Sequence, residues 1–255
     1  MVSIRILDDI GIDYAIDFIT QFGFIKTSLP HTLSLALGTL SVSPIELASA
    51  YAIFANGGYK IEPFLIANIT DTEGHVLMQT QSLHVPMPDE KKSEALAPRV
   101  ISEDVAFLMH TALLGVVQQG TAKEAMSLNR TDVGGKTGTT NDQVDAWFCG
   151  YTPDLVAVTW VGYDNPISVH EYGSRLALPL WIDFMRIALE GVPLHPIKPP
   201  LDIVTEYINP KTGAKENDPK RGILEYFRQS EIPTYDNAAP ESNMLHNETN
   251  QESLF

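Results

Sequence analysis

Between residues 3 and 22, Ile4, Leu7, Ile10, Tyr14, Phe18 and Phe22 recur every three or four positions, the spacing of one face of an α-helix. Gly23 follows where such a helix would stop, so one amphipathic helix is expected here. It starts at residue 3 with almost nothing before it, and the expectation is that the chain begins inside a domain. Ser43-Pro44-Ile45-Glu46 combines an N-cap serine, proline at the first helical position and glutamate three residues after the cap. A helix should therefore start at Pro44, carry Leu47, Ala50, Tyr51 and Phe54 on one face, and end at Asn56-Gly57-Gly58. Residues 59 to 80 alternate around Thr70-Asp71-Thr72-Glu73-Gly74 and read as a hairpin, followed by a polar loop from Pro86 to Pro98.

A third helix, capped by Ser102, is expected to run through Val105, Leu108, Met109, Ala112, Leu113 and Val116 and to end near Gly120. Three β-like runs come next, 133–140, 145–152 and 155–163, separated by Asn141-Asp142-Gln143 and Pro153-Asp154. Connections so short require antiparallel neighbours. A helix over about 178–189 would cover one face of that sheet with Leu180, Phe184, Ile187 and Ala188 turned inward. The fold class is thus α+β, an antiparallel sheet covered by helices. Prolines 193, 196, 199 and 200 mark a stiff exit from the core. The division expected is a main domain over 1–192, a small β-rich appendage over 193–235 built on strand-like pieces 203–208 and 223–227, and a disordered tail over 236–255.

Composition narrows the function. The 255 residues are 44% hydrophobic, enough for a sizeable core, and no run of about 18 apolar residues or secretory leader pattern is present. A formal charge of -15 with only 17 Lys and Arg excludes nucleic acid as a partner, because phosphate backbones are gripped by clustered cations. Cys149 is the single cysteine and the seven histidines are scattered, so no metal and no cofactor are expected. Trp147 and Trp160 are expected to pack, and Cys149 to be an inert buried thiol.

Chemistry concentrates in Gly134-Gly135-Lys136-Thr137-Gly138-Thr139-Thr140. A glycine within a strand lets a ligand backbone lie close against the edge. Lys136, Thr137, Gly138 and Thr139 on such an edge offer a cation, two hydroxyls and a free backbone N–H, which suit a peptide ending in a carboxylate. A phosphate-binding loop of the form G-x-x-x-x-G-K-[ST] is excluded, since its first glycine would be Arg130 and a strand rather than a helix follows.

The chain resembles class A penicillin-binding proteins of the 1A type, the bifunctional peptidoglycan synthases, over about residues 1 to 235. The resemblance rests on an ordered series: Lys136-Thr137-Gly138-Thr139-Thr140-Asn141-Asp142, Asp145-Ala146-Trp147-Phe148, Gly150-Tyr151-Thr152-Pro153 and Trp160-Val161-Gly162-Tyr163-Asp164. Ser41-Val42-Ser43-Pro44, Phe54-Ala55-Asn56-Gly57-Gly58-Tyr59, Ala177-Leu178-Pro179-Leu180-Trp181 and Pro210-Lys211-Thr212-Gly213 agree with it. It implies a partial penicillin-binding transpeptidase fold, shared with serine β-lactamases, and a serine acyl-enzyme formed with peptidoglycan stem peptides ending in D-Ala-D-Ala or with β-lactams. It implies catalytic roles for Lys136 and Thr139 and substrate binding by Thr137, Gly138, Thr139 and Thr140, with the Thr139 N–H in the oxyanion hole.

Such enzymes combine S-x-x-K, S-x-N and K-T-G elements. No serine here has lysine three residues on, so the nucleophile motif is missing. Ser127-Leu128-Asn129 is an S-x-N string in the wrong place, just before Lys136, and is read as coincidental. Alone, the chain is expected to be inactive. The resemblance places the parent protein at the periplasmic face of the inner membrane, attached through an N-terminal anchor that these residues lack. Two alternatives stand beside the transpeptidase fragment: a non-catalytic remnant of a split gene, and a serine β-lactamase-like hydrolase.

Overall fold

A computed structural model describes residues 2–87, 90 and 96–235. The chain packs as two compact units, Met1–Pro200 and Leu201–Phe255. Expectations for the tail, and for positions 88, 89 and 91–95 of the polar loop, lie outside the described residues.

The first unit opens with two helices rather than the one expected, α1 (Val2–Ile10) and α2 (Ile12–Thr20). Gly11 separates them with φ +88°, a left-handed conformation that no helix interior adopts and that glycine tolerates without steric cost. Helix α3 (Pro44–Ala55) begins at the predicted cap. The Ser43 hydroxyl accepts the Glu46 N–H, and the Glu46 carboxylate accepts the Ser43 N–H at 2.7 Å, so both ends of the capping box are closed. The Ser43 hydroxyl also donates to that carboxylate, and these bonds hold its pKa below the usual value. Gly57 and Gly58, both at positive φ, turn the chain out of the helix.

Residues 59–67 are not strand. The hairpin is confined to β1 (Asn68–Thr70) and β2 (Val76–Gln79), antiparallel and exposed on both strands. Its turn is held by Asp71 Oδ1, which accepts the N–H groups of Glu73 and His75 at 2.9 Å each. Helix α4 (Glu103–Gln118) has Ser102 at its N-cap, but the serine side chain makes no capping bond. The acidic pair Glu103 and Asp104 in the first turn complements the helix dipole instead.

Strands β3 (Gly134–Thr139), β4 (Asp145–Thr152) and β5 (Leu155–Gly162) form an antiparallel sheet in the order β3-β4-β5. The register pairs Lys136 with Cys149 and Trp147 with Trp160, so the two faces of the sheet follow by alternation. On one face Tyr151 packs with Ala55 of α3 and Leu113 of α4. Its ring lies 6.3 Å from that of half-buried Tyr51, and its hydroxyl hydrogen-bonds Nδ1 of buried His110 at 3.1 Å. On the opposite face Phe148 meets Trp181 of α5 (Ala177–Ala188) edge to face, ring centroids 4.9 Å apart. Trp181 is fully buried and donates its indole N–H to the Ala157 carbonyl at 3.0 Å.

The inward face of α5 differs from expectation. Leu178, Trp181, Ile182 and Met185 are buried, while Leu180 and Phe184 are 54% and Ile187 76% exposed. The helix carries two apolar stripes, and the one with tryptophan goes inward because it buries more surface against Phe148. The result is helices on both faces of an antiparallel sheet, an α+β fold.

The second unit is a hairpin of β6 (Ile203–Ile208) and β7 (Ile223–Arg228), paired from Ile203 with Arg228 to Ile208 with Ile223. The Asn209 carboxamide oxygen accepts the Lys211 N–H, and Gly213 takes positive φ to close the turn. Among the described residues no helix is long and apolar enough to cross a membrane.

Candidate active site

The predicted site residues all lie on β3 or at its end, and β3 is an edge strand. Thr140 donates its N–H to the Asp145 carbonyl across to β4. In an antiparallel ladder successive residues alternate, so Lys136 and Gly138 also bond towards β4 while the N–H groups of Gly135, Thr137 and Thr139 point to the open edge. The Thr139 N–H thus faces away from β4, towards the open edge.

Glycine permits this strand to sit where it does. A Cβ on Gly135 would lie 2.7 Å from Phe148 Cζ and 2.9 Å from the Cys149 carbonyl oxygen. Only hydrogen fits there. The strand is thereby drawn tight against β4, and its exposure rises from the buried Gly134 and Gly135 to the exposed Lys136 and Thr139.

Lys136 is exposed and donates its ammonium to the Thr137 carbonyl at 2.7 Å, which keeps the positive charge over the open edge. It pairs in register with Cys149, whose thiol burial pushes up to about 12, the nearby Lys136 charge opposing this only in part. Cys149 is thus a protonated packing group. The Thr137 hydroxyl shares a 2.7 Å hydrogen bond with that of Thr121, in the turn after α4. The Thr139 hydroxyl accepts the Gly173 N–H at 3.0 Å, from the loop between β5 and α5. Neither Thr121 nor Gly173 was marked by the sequence.

Thr140 is occupied differently. Its hydroxyl accepts the Asp145 N–H at 2.8 Å and donates to the Asp145 carboxylate at 3.2 Å, closing the β3–β4 turn. The other Asp145 oxygen accepts the Trp160 indole N–H at 2.8 Å. Exposed Trp160 lies against half-buried Trp147, ring centroids 6.0 Å apart and planes tilted by 42°, at the same end of the hairpin.

Ser127 lies elsewhere. It lines a pocket of about 390 Å³ with Leu128, Asn129, Arg130, Met185 and Leu189, in which no β3 residue takes part. Arg130, which lines that pocket, gives two bonds to the buried Asp132 carboxylate, at 2.9 and 2.7 Å, and Asp132 accepts a third from the His195 N–H at 3.1 Å. Arg130 also donates to the carbonyls of Val192 and Pro193. This latch ties the residues just before β3 to the segment after α5. Among the described residues no group of three or more His, Cys, Asp or Glu side chains is placed to hold a metal ion.

The sequence matches the family described as Penicillin binding protein transpeptidase domain over residues 11–185. It is 38% identical to penicillin-binding protein 1A of Pseudomonas aeruginosa across 94% of this chain. It is 44% identical to penicillin-binding protein 1A of Neisseria lactamica across 80%. The chain spans only 34% and 25% of the lengths of these two relatives. Its fold matches the crystal structure of penicillin-binding protein 1A from Haemophilus influenzae with TM-score 0.82 and 34% identity, covering 91% of this chain and 39% of that one. The PonA1 protein of Mycobacterium tuberculosis in complex with penicillin V matches with TM-score 0.54 and 26% identity over 66% of this chain and 44% of that one.

Proposed function

The chain belongs to the penicillin-binding protein transpeptidase family, and from that premise we propose that the open edge of β3 is the substrate-binding wall of a peptidoglycan D,D-transpeptidase site. The observation that carries this reading is the edge itself: a cation at Lys136, hydroxyls at Thr137 and Thr139, and an outward Thr139 N–H on one strand. A stem peptide ending in D-Ala-D-Ala would lie along this edge, its carboxylate drawn to the Lys136 charge and the two hydroxyls. A β-lactam presents a carboxylate to the same groups.

The reaction in this reading is acyl transfer through a serine. The serine oxygen bonds to the carbonyl carbon of the penultimate D-Ala as the C–N bond to the terminal D-Ala breaks and that D-Ala leaves as the amine with the serine's proton. The amine of a second stem peptide then bonds to the same carbon, breaks the ester bond and returns a proton to the serine oxygen. Negative charge gathers on the carbonyl oxygen in each step, and the Thr139 N–H is a donor aimed where that oxygen would sit. Loss of one such donor typically costs about 100-fold or more in rate. Lys136 keeps the site electropositive throughout. Gly138 keeps the strand surface low, and Thr140 supports the edge through the hairpin turn.

No Ser-x-x-Lys string occurs in the 255 residues, so the serine has to come from polypeptide outside them. This observation also favours a second reading, a non-catalytic remnant that keeps only the binding edge. We assign the transpeptidase portion to residues 1–192 and a β-rich appendage to 193–235. In this reading the working protein acts at the periplasmic face of the inner membrane.

Fluorescent-penicillin labelling of this chain beside a form extended to include a Ser-x-x-Lys segment tests the reading. Covalent labelling of the extended form alone is expected. Labelling of neither would leave only the remnant, and labelling of the short chain would show a nucleophile of another type.

A further inference from the structure

The two hydroxyls of β3 are each held by a residue from outside the strand, one on either flank. Thr121 reaches Thr137 Oγ1 at 2.7 Å from the turn after α4, and the Gly173 N–H reaches Thr139 Oγ1 at 3.0 Å from the loop before α5. Both supports are rigidly placed. Before Thr121, Gly120 sits where a Cβ would lie 2.9 Å from both the Val116 Cα and its carbonyl oxygen, and after it Ala122 is fully buried. Gly173 presses so closely on the sheet that a Cβ there would lie 2.3 Å from the Gly138 carbonyl oxygen and 2.5 Å from that of Trp147.

Resting on the reading of β3 as the carboxylate-binding edge, we propose that Thr121 and Gly173 are positioning residues that make the Thr137 and Thr139 hydroxyls donors to the substrate carboxylate. A threonine hydroxyl has one hydrogen to give and two lone pairs to receive. Gly173 can only donate, so it fills an acceptor position of Thr139 and leaves the hydroxyl hydrogen for another partner. Thr121 can donate or accept. When an anion approaches Thr137, the favoured arrangement has Thr121 donating to Thr137 and Thr137 donating outward, and each bond polarises the next. A neutral amide gains less, because charge-assisted bonds are roughly twice as strong as neutral ones.

The test is a two-dimensional amide NMR titration of the full chain with N-acetyl-D-Ala-D-Ala and, separately, with its C-terminal carboxamide. The wild type is expected to prefer the carboxylate by about tenfold, with shifts at the Thr137 and Thr139 amides. Thr121→Val removes the hydroxyl at an exposed position and should reduce the preference to about threefold or less, weakening carboxylate binding more than carboxamide binding and leaving the amide spectrum away from β3 unchanged. Thr121→Ser should restore it. An unchanged preference in Thr121→Val overturns the proposal, as does loss of preference in Thr121→Ser, which would assign the effect to the methyl group. A wild type that binds neither ligand, or binds without shifting the β3 amides, refutes the substrate-edge reading itself and the proposal with it.

Discussion

Replacing Arg130 with methionine should destabilise the first unit far more than an ordinary ion-pair deletion. The Asp132 carboxylate is fully buried, and Arg130 supplies two of the three hydrogen bonds found on it. Burial alone would raise its pKa, yet the Arg130 bonds and charge and the His195 N–H outweigh this and hold it below the usual carboxylate value. Without Arg130 a buried charge is left unpaired, at a typical cost of about 3–5 kcal/mol, and the Val192 and Pro193 carbonyls lose a shared donor as well. All three tryptophans, Trp147, Trp160 and Trp181, lie in this unit, so urea unfolding followed by their fluorescence reports on it directly. The cost should shrink as pH falls towards about 4, because Asp132 freed of Arg130 can then take a proton instead of remaining charged. The double variant Arg130→Met with Asp132→Asn should be more stable than Arg130→Met alone. A loss below about 1 kcal/mol, the value of an exposed pair, or a double variant no better than the single one, would refute the argument.

Cys149 should resist iodoacetamide at pH 8 in the folded chain and react at once in denaturant, since burial holds its pKa up to about 12; rapid modification of the folded protein would show an open sheet face. Burial lowers the pKa of His110, with the Asp132 charge opposing it, so the folded state favours the neutral imidazole. Stability should therefore rise with pH through the window below the unfolded histidine value of about 6.5, and His110→Gln should flatten that part of a urea-stability profile. Gly150→Ala would place a Cβ 2.7 Å from both Phe148 Cε1 and Trp181 Cζ2, inside the core, and should cost about 1–3 kcal/mol in the same unfolding assay; a neutral result would mean the contact between β4 and α5 is slack.

Local chemistry was the part of the fold that could be read from the sequence. Ser43, Pro44 and Glu46 specify a helix start within four residues, and the three strands around the 141–143 and 153–154 turns are fixed by alternation and connection length. The break at Gly11 was hidden because a lone glycine in an apolar helical pattern is usually tolerated, and its φ of +88° leaves no trace in the spacing. On α5 the periodicity fits two stripes equally well. The stripe with Trp181 goes inward only because Phe148 and the Ala157 carbonyl await it on the sheet, a tertiary fact absent from the helix sequence.

The site divides in the same way. Lys136, Thr137 and Thr139 were legible from a short motif, whereas Thr121 and Gly173 contact them from 16 and 34 residues away with no pattern to announce it. The reason lies in how an edge strand is made precise. One hydrogen-bonding side of β3 is consumed by β4, and that pairing alone decides that Thr139 rather than Gly138 turns its N–H outward; a slip of one residue would exchange them. The slip is opposed at one end by Thr140, Asp145 and Trp160 and at the other by the fully buried Tyr151 opposite Gly134. The motif therefore names the groups exposed on the β3 edge, while the residues that hydrogen-bond them are spread through the elements packed around the strand, each specified by shape rather than by sequence neighbourhood.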